Sequence, residues 1–511
     1  MKTNSMTANE KLGRLIQEIR QHRDLTQTEL AQLMDTSQSA INRIEKGKQN
    51  LSLEMIKRFG LVLKHPFINI NDHKVSLRIY GGRKLSGQST VSPAKNTCLA
   101  LIFASLLNHG KTILKKVPRI EEIFRIIEVL ESLEVNVRWI DNDLEIKRPT
   151  KLNFDNLNKD LVSKTRSIIM LIGLAADEKR KFILPFSGGC RLGQRSIIAH
   201  AVGLENLGIQ IKTTNDHYQI TNQLQASRRP IIMYESSDTA TINILLAAAK
   251  LGERTIIKMA SSNYQIEDTC LFLQKLGCKI TGLGSTTLTI EGCPTLIKKD
   301  VVYHPLEDPI EAMTLVSAAL TTNSELTLKR VPLDFLELEM LRISQMGGQI
   351  EILKEYVAHN QYSRLGDIQI LPHNHQLIAP LDKISCRPYP GLNIDNLPYF
   401  VPIVASAKGT SLIHDWVYEN RAIYYTELSR MGANIRLADP HRIYVTGPTQ
   451  WQATDLSCPP AIRPAVINLI GMLAANGIST LRNIYSISRG YENLAQTFND
   501  LGAKIEIMKE I

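Results

Sequence analysis

One cysteine of this 511-residue chain lies in a stretch that could support chemistry, residues 187–195, which read SGGCRLGQR. Three glycines leave little bulk over the thiol of Cys190, and Arg191 and Arg195 bring two fixed positive charges close to it in sequence. Cationic neighbours favour the thiolate, which is the reactive form of cysteine. The stretch therefore predicts a reactive thiol, and the alternative is a small buried cysteine in a surface turn.

Composition narrows the class of protein without naming its function. A length of 511 residues predicts about two to four domains, and a composition of 43% hydrophobic and 22% charged residues is typical of a soluble globular protein. Its formal charge of +10 favours an anionic partner, either nucleic acid or a phosphorylated small molecule. Seven cysteines without a C-x-x-C pair argue against a disulfide framework and a zinc site. Since no apolar run could span a membrane and the first residues lack a signal-peptide core, we expect a cytoplasmic protein.

Residues 1–66 are predicted to form a small helical domain, followed by a linker at 67–76. Thr26 and Glu29 have the spacing of a capping box, in which a side chain at each end of the first helical turn satisfies a backbone donor. A further short helix is predicted to begin near Ser37.

Two stretches of this domain, LTQTELA at 25–31 and SAINRIEKG at 39–47, resemble a Cro/phage-repressor helix-turn-helix domain. In that fold the second helix enters the major groove of DNA by its N-terminal residues. The resemblance implies DNA contacts from Gln27, Gln38, Ser39, Asn42 and Arg43. Residues 1–65 carry eleven Lys/Arg against seven Asp/Glu, which suits contact with phosphates. The alternative is a helical protein-interaction module.

Beyond the linker, one pattern recurs six times: a helix with an apolar stripe, then a glycine, then an alternating strand. The glycine position falls at 134, 208, 277, 347, 432 and 502, with Glu134 in the first copy. A period of about 70 residues is too long for a solenoid and predicts six small α+β units, most simply two domains of three. The apolar segments 242–249, 313–320 and 467–474 are predicted to be central helices.

Further motifs stand in order on both sides of the Cys190 loop. They are KLSG at 84–87, SPAKN at 92–96, YENR at 418–421, ELSRMG at 427–432 and SRGYE at 488–492. With the repeats, they resemble the UDP-N-acetylglucosamine enolpyruvyltransferase (1-carboxyvinyltransferase) family from about residue 76 onward. The resemblance implies an α/β (α+β) fold of two inside-out domains, each of three βαβαββ units, with a substrate cleft between them. It would divide the chain into 77–94 with 306–511, and 95–305.

The resemblance also implies a reaction, the transfer of the enolpyruvyl group of phosphoenolpyruvate to the 3′-hydroxyl of UDP-N-acetylglucosamine. This is a step of peptidoglycan precursor synthesis that releases phosphate and uses no cofactor or metal. Cys190 matches the family's proton donor, and Asp395 matches the aspartate that takes the hydroxyl proton. The positions that match phosphoenolpyruvate contacts are Lys95, Asn96, Arg195 and Arg489, where cations suit phosphate and carboxylate.

A UDP-sugar subsite is implied as well, and there the sequence departs from the family. The matching positions are Arg166, Arg195, Ser196, Ile197, Ile198, Ala199, Glu235, Ser236, Ser237, Asp238, Asp395 and Val417, and Asp308, Arg421 and Asp455 also fall on cleft positions. Ser196 replaces a proline, Ile198 replaces a carboxylate, and Ser457 replaces an arginine. Glu235 and Asp238 bring two acids towards an expected diphosphate, where like charges oppose binding unless they are paired.

Three alternatives stay open from the sequence. The enzyme-like region could sense a UDP-sugar on behalf of a transcription regulator. An active transferase could use a different uridine-nucleotide acceptor. The related shikimate-phosphate enolpyruvyltransferase shares the six-unit fold but lacks the cysteine loop.

Overall fold

The chain separates into two compact units, residues 1–74 and 75–511, with the division inside the predicted linker. The computed structural model describes residues 8–23, 25–49, 51, 55, 58–59, 62–63, 75–162, 165–186, 196–294, 298–373 and 375–509. The Cys190 loop, 187–195, thus lies outside the described residues, and so does most of the linker.

The first unit contains the helices Ala8–His22, Gln27–Leu33 and Gln38–Glu45. Thr26 caps the second helix, because its hydroxyl accepts from the backbone N–H of Glu29 at 3.1 Å while its own N–H donates to the Glu29 carboxylate at 2.7 Å. The predicted capping box is therefore confirmed. The helices enclose an apolar core formed by Ile16, Leu30, Ala31, Met34, Ile41, Ile44, Phe59 and Leu63.

The second unit alternates helices with short strands. Its α-helices are Lys95–Ser105, Glu121–Ser132, Lys159–Val162, Leu171–Leu174, Ile198–Glu205, Asp238–Ala248, Tyr264–Lys275, Pro309–Thr321, Glu337–Gln345, Phe400–Ser406, Ile462–Ala474, Tyr485–Ser488 and Leu494–Asp500. Short 3-10 helices span Phe154–Asn156, Arg166–Met170, Leu333–Phe335, Leu397–Tyr399 and Ala422–Met431.

The described strands form six sheets, which divide into two groups by the part of the chain that supplies them. Three sheets use strands before residue 94 or after 306, in the orders β21-β22-β1-β23, β15-β16-β14-β2 and β17-β18-β20-β19. These strands are β1 Val75–Gly81, β2 Gln88–Thr90, β14 Leu326–Pro332, β15 Gln349–Val357, β16 Arg364–Leu371, β17 Ile384–Ser385, β18 Gly409–His414, β19 Asn434–Asp439, β20 Arg442–Gly447, β21 Asp455–Ser457, β22 Gly477–Arg482 and β23 Ile505–Lys509.

The other three sheets use strands from within 95–305, in the orders β13-β3-β5-β4, β6-β8-β7 and β11-β12-β10-β9. These strands are β3 Lys111–Leu114, β4 Asn136–Ile140, β5 Asp143–Lys147, β6 Lys181–Pro185, β7 Ile209–Thr213, β8 His217–Asn222, β9 Ile231–Ile232, β10 Arg254–Lys258, β11 Lys279–Thr281, β12 Thr287–Glu291 and β13 Val301–Tyr303. Within the described strands, no sheet mixes the two groups.

The predicted repeats are visible in the backbone after each helix. Glycines at the five predicted positions all have positive φ: Gly208, Gly277, Gly347, Gly432 and Gly502. Glu134 has the same left-handed conformation at φ 68°, although it carries a side chain. Asn153 donates to the Glu134 carboxylate at 2.8 Å. The backbone geometry of the repeat therefore persists in the copy whose sequence departs from it.

The predicted central helices are almost completely buried. Apolar side chains from Cys98 to Tyr303 form one contiguous core, in which the helix Asp238–Ala248 is central. Asn243 of this helix donates to the carbonyl of Ile169 at 2.8 Å and accepts from the N–H of Gly173 at 2.8 Å. These bonds connect the helix Asp238–Ala248 to the helices Arg166–Met170 and Leu171–Leu174. They also satisfy a buried amide, which would destabilise the fold if it were unpaired. The helices Pro309–Thr321 and Ile462–Ala474 are buried in the same way.

Candidate active site and DNA-binding surface

The first part of the candidate site is a group of charges around Glu122. The Nζ of Lys95 donates to Glu122 at 3.0 Å, and the hydroxyls of Ser167 and Thr165 donate to the same carboxylate at 3.0 and 3.3 Å. Burial raises the pKa of Glu122, but the charges of Lys95 and Arg489 outweigh it and bring the pKa to about 2. Two of the predicted phosphoenolpyruvate residues, Lys95 and Arg489, therefore act on one ionised carboxylate.

Asn96, the second residue of the predicted Lys-Asn pair, faces a buried tyrosine. Its Nδ2 donates to the hydroxyl of Tyr264 at 3.3 Å. Burial raises the pKa of Tyr264, and the charges of Asp308, Asp395 and Asp238 raise it further. Tyr264 thus stays protonated, and three acids from distant parts of the sequence converge around it.

Asp308 connects the helix Pro309–Thr321 to the Lys-Asn pair by hydrogen bonds. It is the N-cap of the helix Pro309–Thr321, where its carboxylate accepts from the N–H of Ile310 at 2.8 Å and from the N–H of Lys95 at 3.4 Å. Burial raises the pKa of Asp308, and the charge of Arg463 opposes that shift. A predicted cleft residue therefore lies between a predicted substrate contact and an arginine that sequence reasoning missed.

Asp395, the predicted base, lies between two guanidinium groups. One carboxylate oxygen is 3.4 Å from Nη1 of Arg421 and the other is 3.5 Å from Nη2 of Arg463. The backbone N–H of Asp395 donates to the side chain of Asn393 at 2.9 Å, which makes an Asx-turn. The turn fixes the backbone while the carboxylate remains partly accessible, with 22% of its side chain exposed.

Arg463 supplies a cation to Asp395 that was not predicted from the sequence. Ser457 stands at the position expected for an arginine, but Arg463, six residues further along the chain, reaches Asp395 from the helix Ile462–Ala474. Its side chain is only 9% exposed. The signal in the sequence is an arginine inside an otherwise apolar helix, because a buried charge requires a partner.

The positions after the Cys190 loop form a turn that leads into the helix Ile198–Glu205. Arg166 donates from Nη2 to the carbonyl of Ser196 at 3.0 Å, and the hydroxyl of Ser196 accepts from the N–H of Ile198 at 3.0 Å. Ile197 is half-buried, Ala199 is buried, and 46% of Ile198 is exposed. The structure therefore brings Arg166 to this segment, and it leaves an apolar side chain where the resemblance implies a carboxylate.

The two acids expected near a diphosphate have different surroundings. Glu235 is exposed, whereas Asp238 begins the helix Asp238–Ala248 and accepts from the hydroxyl of Ser261 and from Nδ2 of Asn263, the latter at 3.4 Å. Burial raises the pKa of Asp238, and the charge of Asp395 adds to the rise. The serines at 236 and 237 are half-buried. Asp238 is thus engaged with neutral donors, while Glu235 points a charge to the surface.

Two other predicted cleft positions differ in their connection to this site. Val417 is 42% exposed and lies on the segment that leads to Arg421. Asp455 lies on β21, where it pairs with Arg482 at 2.5 Å, half-exposed. The described contacts of Asp455 are made with Arg482 and, through its carbonyl, with Arg430, rather than with the Lys95 or Asp395 groups.

Cys190 and Arg195 belong to the loop outside the described residues, so their predicted roles rest on the sequence. Sequence reasoning missed Glu122 and Asp415, and both are buried acids paired with a cation. An acid at the start of an amphipathic helix, such as Glu122, is common as a helix-dipole partner, so the sequence held no clear signal for a site.

In the first unit, two of the predicted DNA-contacting residues, Gln27 and Gln38, contact each other. Nε2 of Gln38 donates to Gln27 at 2.8 Å, and Nε2 of Gln27 donates to Glu45 at 2.7 Å. Glu45 forms a buried ion pair with Arg20 at 2.6 Å. The start of the second helix of the motif is therefore linked to its first helix and to the core. Ser39 and Arg43 are exposed, and Asn42 is half-buried.

Three classes of feature are missing from the part of the chain that the structure describes. None of its six described cysteines forms a disulfide bond. Its His, Cys, Asp and Glu side chains form no cluster able to hold a metal ion. None of its helices combines the length and the apolar character needed to cross a bilayer.

Comparison with known proteins identifies both parts of the chain. Residues 79–498 match the family described as EPSP synthase (3-phosphoshikimate 1-carboxyvinyltransferase), and residues 16–64 match a helix-turn-helix family. The UDP-N-acetylglucosamine 1-carboxyvinyltransferase of Treponema denticola is 31% identical over 433 residues, which cover 84% of this chain and 99% of that protein. The protein of the same name from Campylobacter jejuni subsp. jejuni is 32% identical over 436 residues, which cover 85% of this chain and 99% of that protein.

Solved structures agree on the fold. The enolpyruvyl transferase NikO from Streptomyces tendae superposes with a TM-score of 0.73 at 21% identity, covering 86% of this chain and 100% of that chain. An EPSP synthase from Acinetobacter baumannii superposes with a TM-score of 0.65 at 18% identity, covering 85% of this chain and 100% of that chain. The predicted α/β (α+β) fold with an N-terminal helix-turn-helix domain is confirmed. The chain therefore belongs to the EPSP synthase (3-phosphoshikimate 1-carboxyvinyltransferase) family, and its predicted resemblance to UDP-N-acetylglucosamine 1-carboxyvinyltransferases is confirmed.

Proposed function

We propose that this protein transfers the enolpyruvyl group of phosphoenolpyruvate to the 3′-hydroxyl of UDP-N-acetylglucosamine and releases phosphate. The observation that carries the proposal is two sets of contacts: Glu122 binds Lys95, whose N–H reaches Asp308, and Arg463 reaches Asp395. The charge of Arg463 also acts on Asp308, which connects the two sets. Arg463 thus connects the group of Lys95 and Asp308 to a carboxylate that could act as a base. The two relatives named above are 1-carboxyvinyltransferases acting on this sugar nucleotide.

In the proposed reaction, the acceptor hydroxyl oxygen bonds to C2 of phosphoenolpyruvate. Asp395 takes the hydroxyl proton, and Cys190 donates a proton to C3, which gives a tetrahedral intermediate. A proton then returns from C3 to the Cys190 thiolate, which restores the double bond as the bond between C2 and the phosphate oxygen breaks. Phosphate leaves with the proton that Asp395 had taken. Lys95, Arg195 and Arg489 hold phosphate and carboxylate, where their charges stabilise the developing negative charge. Asn96 supplies a neutral hydrogen-bond donor.

The UDP-sugar would contact the segment 196–199, Arg166, the start of the helix Asp238–Ala248 and Val417. Asp238 is compatible with a nearby diphosphate because it binds neutral donors instead of facing the ligand as a free charge. The division into 77–94 with 306–511, and 95–305, belongs to the same proposal. It is supported by the sheets, since the described strands of each sheet come from one group alone.

Phosphate release from phosphoenolpyruvate tests the transferase directly. The purified chain is incubated with phosphoenolpyruvate and UDP-N-acetylglucosamine, UDP-glucose or shikimate 3-phosphate, with Cys190→Ala and Cys98→Ala compared. Release is expected with UDP-N-acetylglucosamine, to be lost in Cys190→Ala and kept in Cys98→Ala, whose thiol is buried in the core. Phosphate release with shikimate 3-phosphate alone would show that shikimate 3-phosphate, and not the UDP-sugar, is the acceptor. No release with any acceptor would overturn the proposal.

We also propose that the first unit binds DNA through Gln27, Gln38, Ser39, Asn42 and Arg43. Support comes from the helix-turn-helix match and from the linked surface of Gln27 and Gln38. Selection of bound fragments from a random duplex pool by the full chain tests the proposal, and recovery of no enriched sequence would contradict it. Repeating the selection with UDP-N-acetylglucosamine tests the alternative of a ligand-sensing regulator, which requires that the sugar nucleotide change affinity.

A further inference from the structure

A buried acid, Asp415, lies behind the arginine that contacts the proposed base. Asp415 is completely buried at the end of β18, and both of its carboxylate oxygens bind Arg421: Oδ2 at 2.6 Å from Nε and Oδ1 at 2.9 Å from Nη2. Tyr425 donates its hydroxyl to Oδ2 at 2.5 Å. A two-point contact of this kind fixes the plane of a guanidinium group as well as its distance.

The rest of the guanidinium group faces the turn that carries Asp395. Nη2 of Arg421 donates to the carbonyl of Ile394 at 2.6 Å, and Nη1 lies 3.4 Å from Asp395. The ring of Tyr418 covers one face of the guanidinium, whose central carbon is 4.3 Å from the ring centre. Arg421 is thus held by Asp415 on one side and holds the backbone and carboxylate of residues 394–395 on the other.

The energetics favour a role beyond packing. Only 1% of the Arg421 side chain is exposed, and a buried guanidinium without a counter-ion is strongly destabilising. Asp415 supplies that counter-ion at short distance, so Asp395, at 3.4 Å, is not required to neutralise Arg421. The two short bonds from Arg421 to Asp415 therefore leave the longer contact of Arg421, at 3.4 Å, to orient Asp395.

We propose that Asp415 is a positioning residue of the active site, which holds Arg421 and thereby sets the orientation and basicity of Asp395. The inference rests on the proposed transferase function for its kinetic part. Asp415 touches no reacting atom, and its effect passes through the Arg421 guanidinium.

Other titratable groups surround this chain of contacts and enter its pH dependence. They are Cys386, Tyr425 and His441 around Asp415, Tyr418 beside Arg421, and Arg463, Asp238, Tyr264 and Tyr399 around Asp395. Burial keeps Tyr264, Tyr399 and Tyr425 protonated, with pKa values raised above the usual range. Among the residues that the structure describes, Arg421 and Arg463 are thus charged groups that contact Asp395, and Asp238 is a nearby carboxylate.

The test compares Asp415→Asn with a matched change at another buried pair, Glu178→Gln. Glu178 binds Arg148 at 2.6 Å with 11% of its side chain exposed, so the control also removes one charge from a buried pair. Both variants should lower the melting temperature. Asp415→Asn alone should lower kcat about 10- to 100-fold with little change in the KM for phosphoenolpyruvate, because displacement of a reacting group slows the chemical step.

The pH profile separates positioning from stability. Without the charge of Asp415, Arg421 favours the ionised form of Asp395, so the acid limb of kcat should move to lower pH by about 0.5 to 1 unit. Glu178→Gln should leave the limb unchanged. Tyr425→Phe keeps the charge of Asp415 and should lower kcat about threefold without moving the acid limb of the pH profile. This variant replaces Asp415→Asn as the test if Asp415→Asn does not fold. Equal effects of the Asp415 and Glu178 changes, or wild-type kcat in Tyr425→Phe, would overturn the proposal.

A crystal structure of Asp415→Asn gives an answer that does not depend on turnover. The contact between Arg421 Nη1 and Asp395, 3.4 Å in the parent chain, should shorten as Arg421 turns to its remaining carboxylate. An unchanged position of the Arg421 guanidinium would overturn the proposal. Absence of phosphate release by the wild-type chain would instead overturn the transferase function and leave this structural result decisive.

Discussion

Lys95 and Glu122 form a buried ion pair, with Nζ 3.0 Å from Oε2 and side chains 12% and 10% exposed. Burial raises the pKa of Glu122, but Lys95 and Arg489 lower it to about 2, so the carboxylate is ionised throughout the neutral range. The pair holds the ammonium group of Lys95 in a defined place before any substrate arrives. Such preorganisation is what an anionic donor requires, because it avoids an ordering cost at the moment of binding.

Glu122→Gln should weaken phosphoenolpyruvate use by loosening Lys95. We expect a 10- to 100-fold lower kcat/KM for phosphoenolpyruvate, by the order of magnitude that misplacing a positioning group costs. The comparison is Glu121→Gln, the same change at another acid of the same helix, which pairs with Arg125 at 2.8 Å. Steady-state phosphate release at varied phosphoenolpyruvate measures both. Similar values for the two variants would contradict the role of the Lys95–Glu122 pair.

Asp395→Asn should remove the proposed base while preserving the Asx-turn, which depends on the side chain of Asn393. We expect kcat to fall about 10²- to 10⁴-fold, the usual contribution of a positioned general base. Asp155→Asn provides the control, because Asp155 is 78% exposed and, away from the predicted site residues, pairs with Lys179 at 2.7 Å. Equal losses of kcat in the two variants would exclude a special role for Asp395.

Arg463→Met should shift the pH dependence in the opposite sense to Asp415→Asn. Arg463 is a cation beside Asp395, and its charge opposes the rise in the pKa of Asp308. Without it, both acids should hold their protons to higher pH, so the acid limb of the kcat profile should move upward. If Arg463→Met leaves the profile in place, Arg463 does not act on the base.

Glu267→Gln should stabilise the protein at alkaline pH. Glu267 is 7% exposed and accepts from the hydroxyl of Ser363 at 2.8 Å, and burial raises its pKa to about 7. Because a raised carboxyl pKa means that the folded state binds the proton more tightly, this group contributes stability at low pH that is lost as pH rises from about 4.5 through 7. The cost at pH 8 is on the order of 3 kcal/mol at most.

Melting temperatures of wild type and Glu267→Gln at pH 5 and pH 8 check this prediction. The difference between them should be larger at pH 8, since glutamine keeps an acceptor for Ser363 without a charge. Glu325→Gln, an acid that binds Gln369 on the surface, should show no such trend. A larger increase in melting temperature at pH 5 than at pH 8 would contradict the prediction.

Arg43→Ala should weaken DNA binding and reduce its salt dependence. The side chain is exposed on the second helix of the motif, and a phosphate contact adds about 1 to the slope of log K against log salt. Arg14→Ala removes an equal charge from the first helix, where Arg14 lies near Glu18 at 3.6 Å. Fluorescence anisotropy with a labelled duplex at several salt concentrations distinguishes the two. An unchanged slope in Arg43→Ala would show that its guanidinium contacts no phosphate.

Several features follow from local sequence and were predicted on that basis. The capping box at Thr26 is confirmed, because it depends on residues three positions apart. The six repeats are also visible in the sequence, since helix caps and strand alternation are local patterns. Glu134 was recognisable as a departure, but its left-handed backbone could not be read from a residue that rarely adopts it.

The sequence alone determined the order of the motifs, the repeated units and the family, together with a list of candidate residues. Tertiary structure decided which of them meet. It brought Lys95 to Glu122 and Arg463 to Asp395, and it paired Asp455 with Arg482 instead. These pairs span 27 to 68 residues, and such contacts depend on how helices and sheets pack, since burial obliges each charge to find whichever partner the fold places beside it.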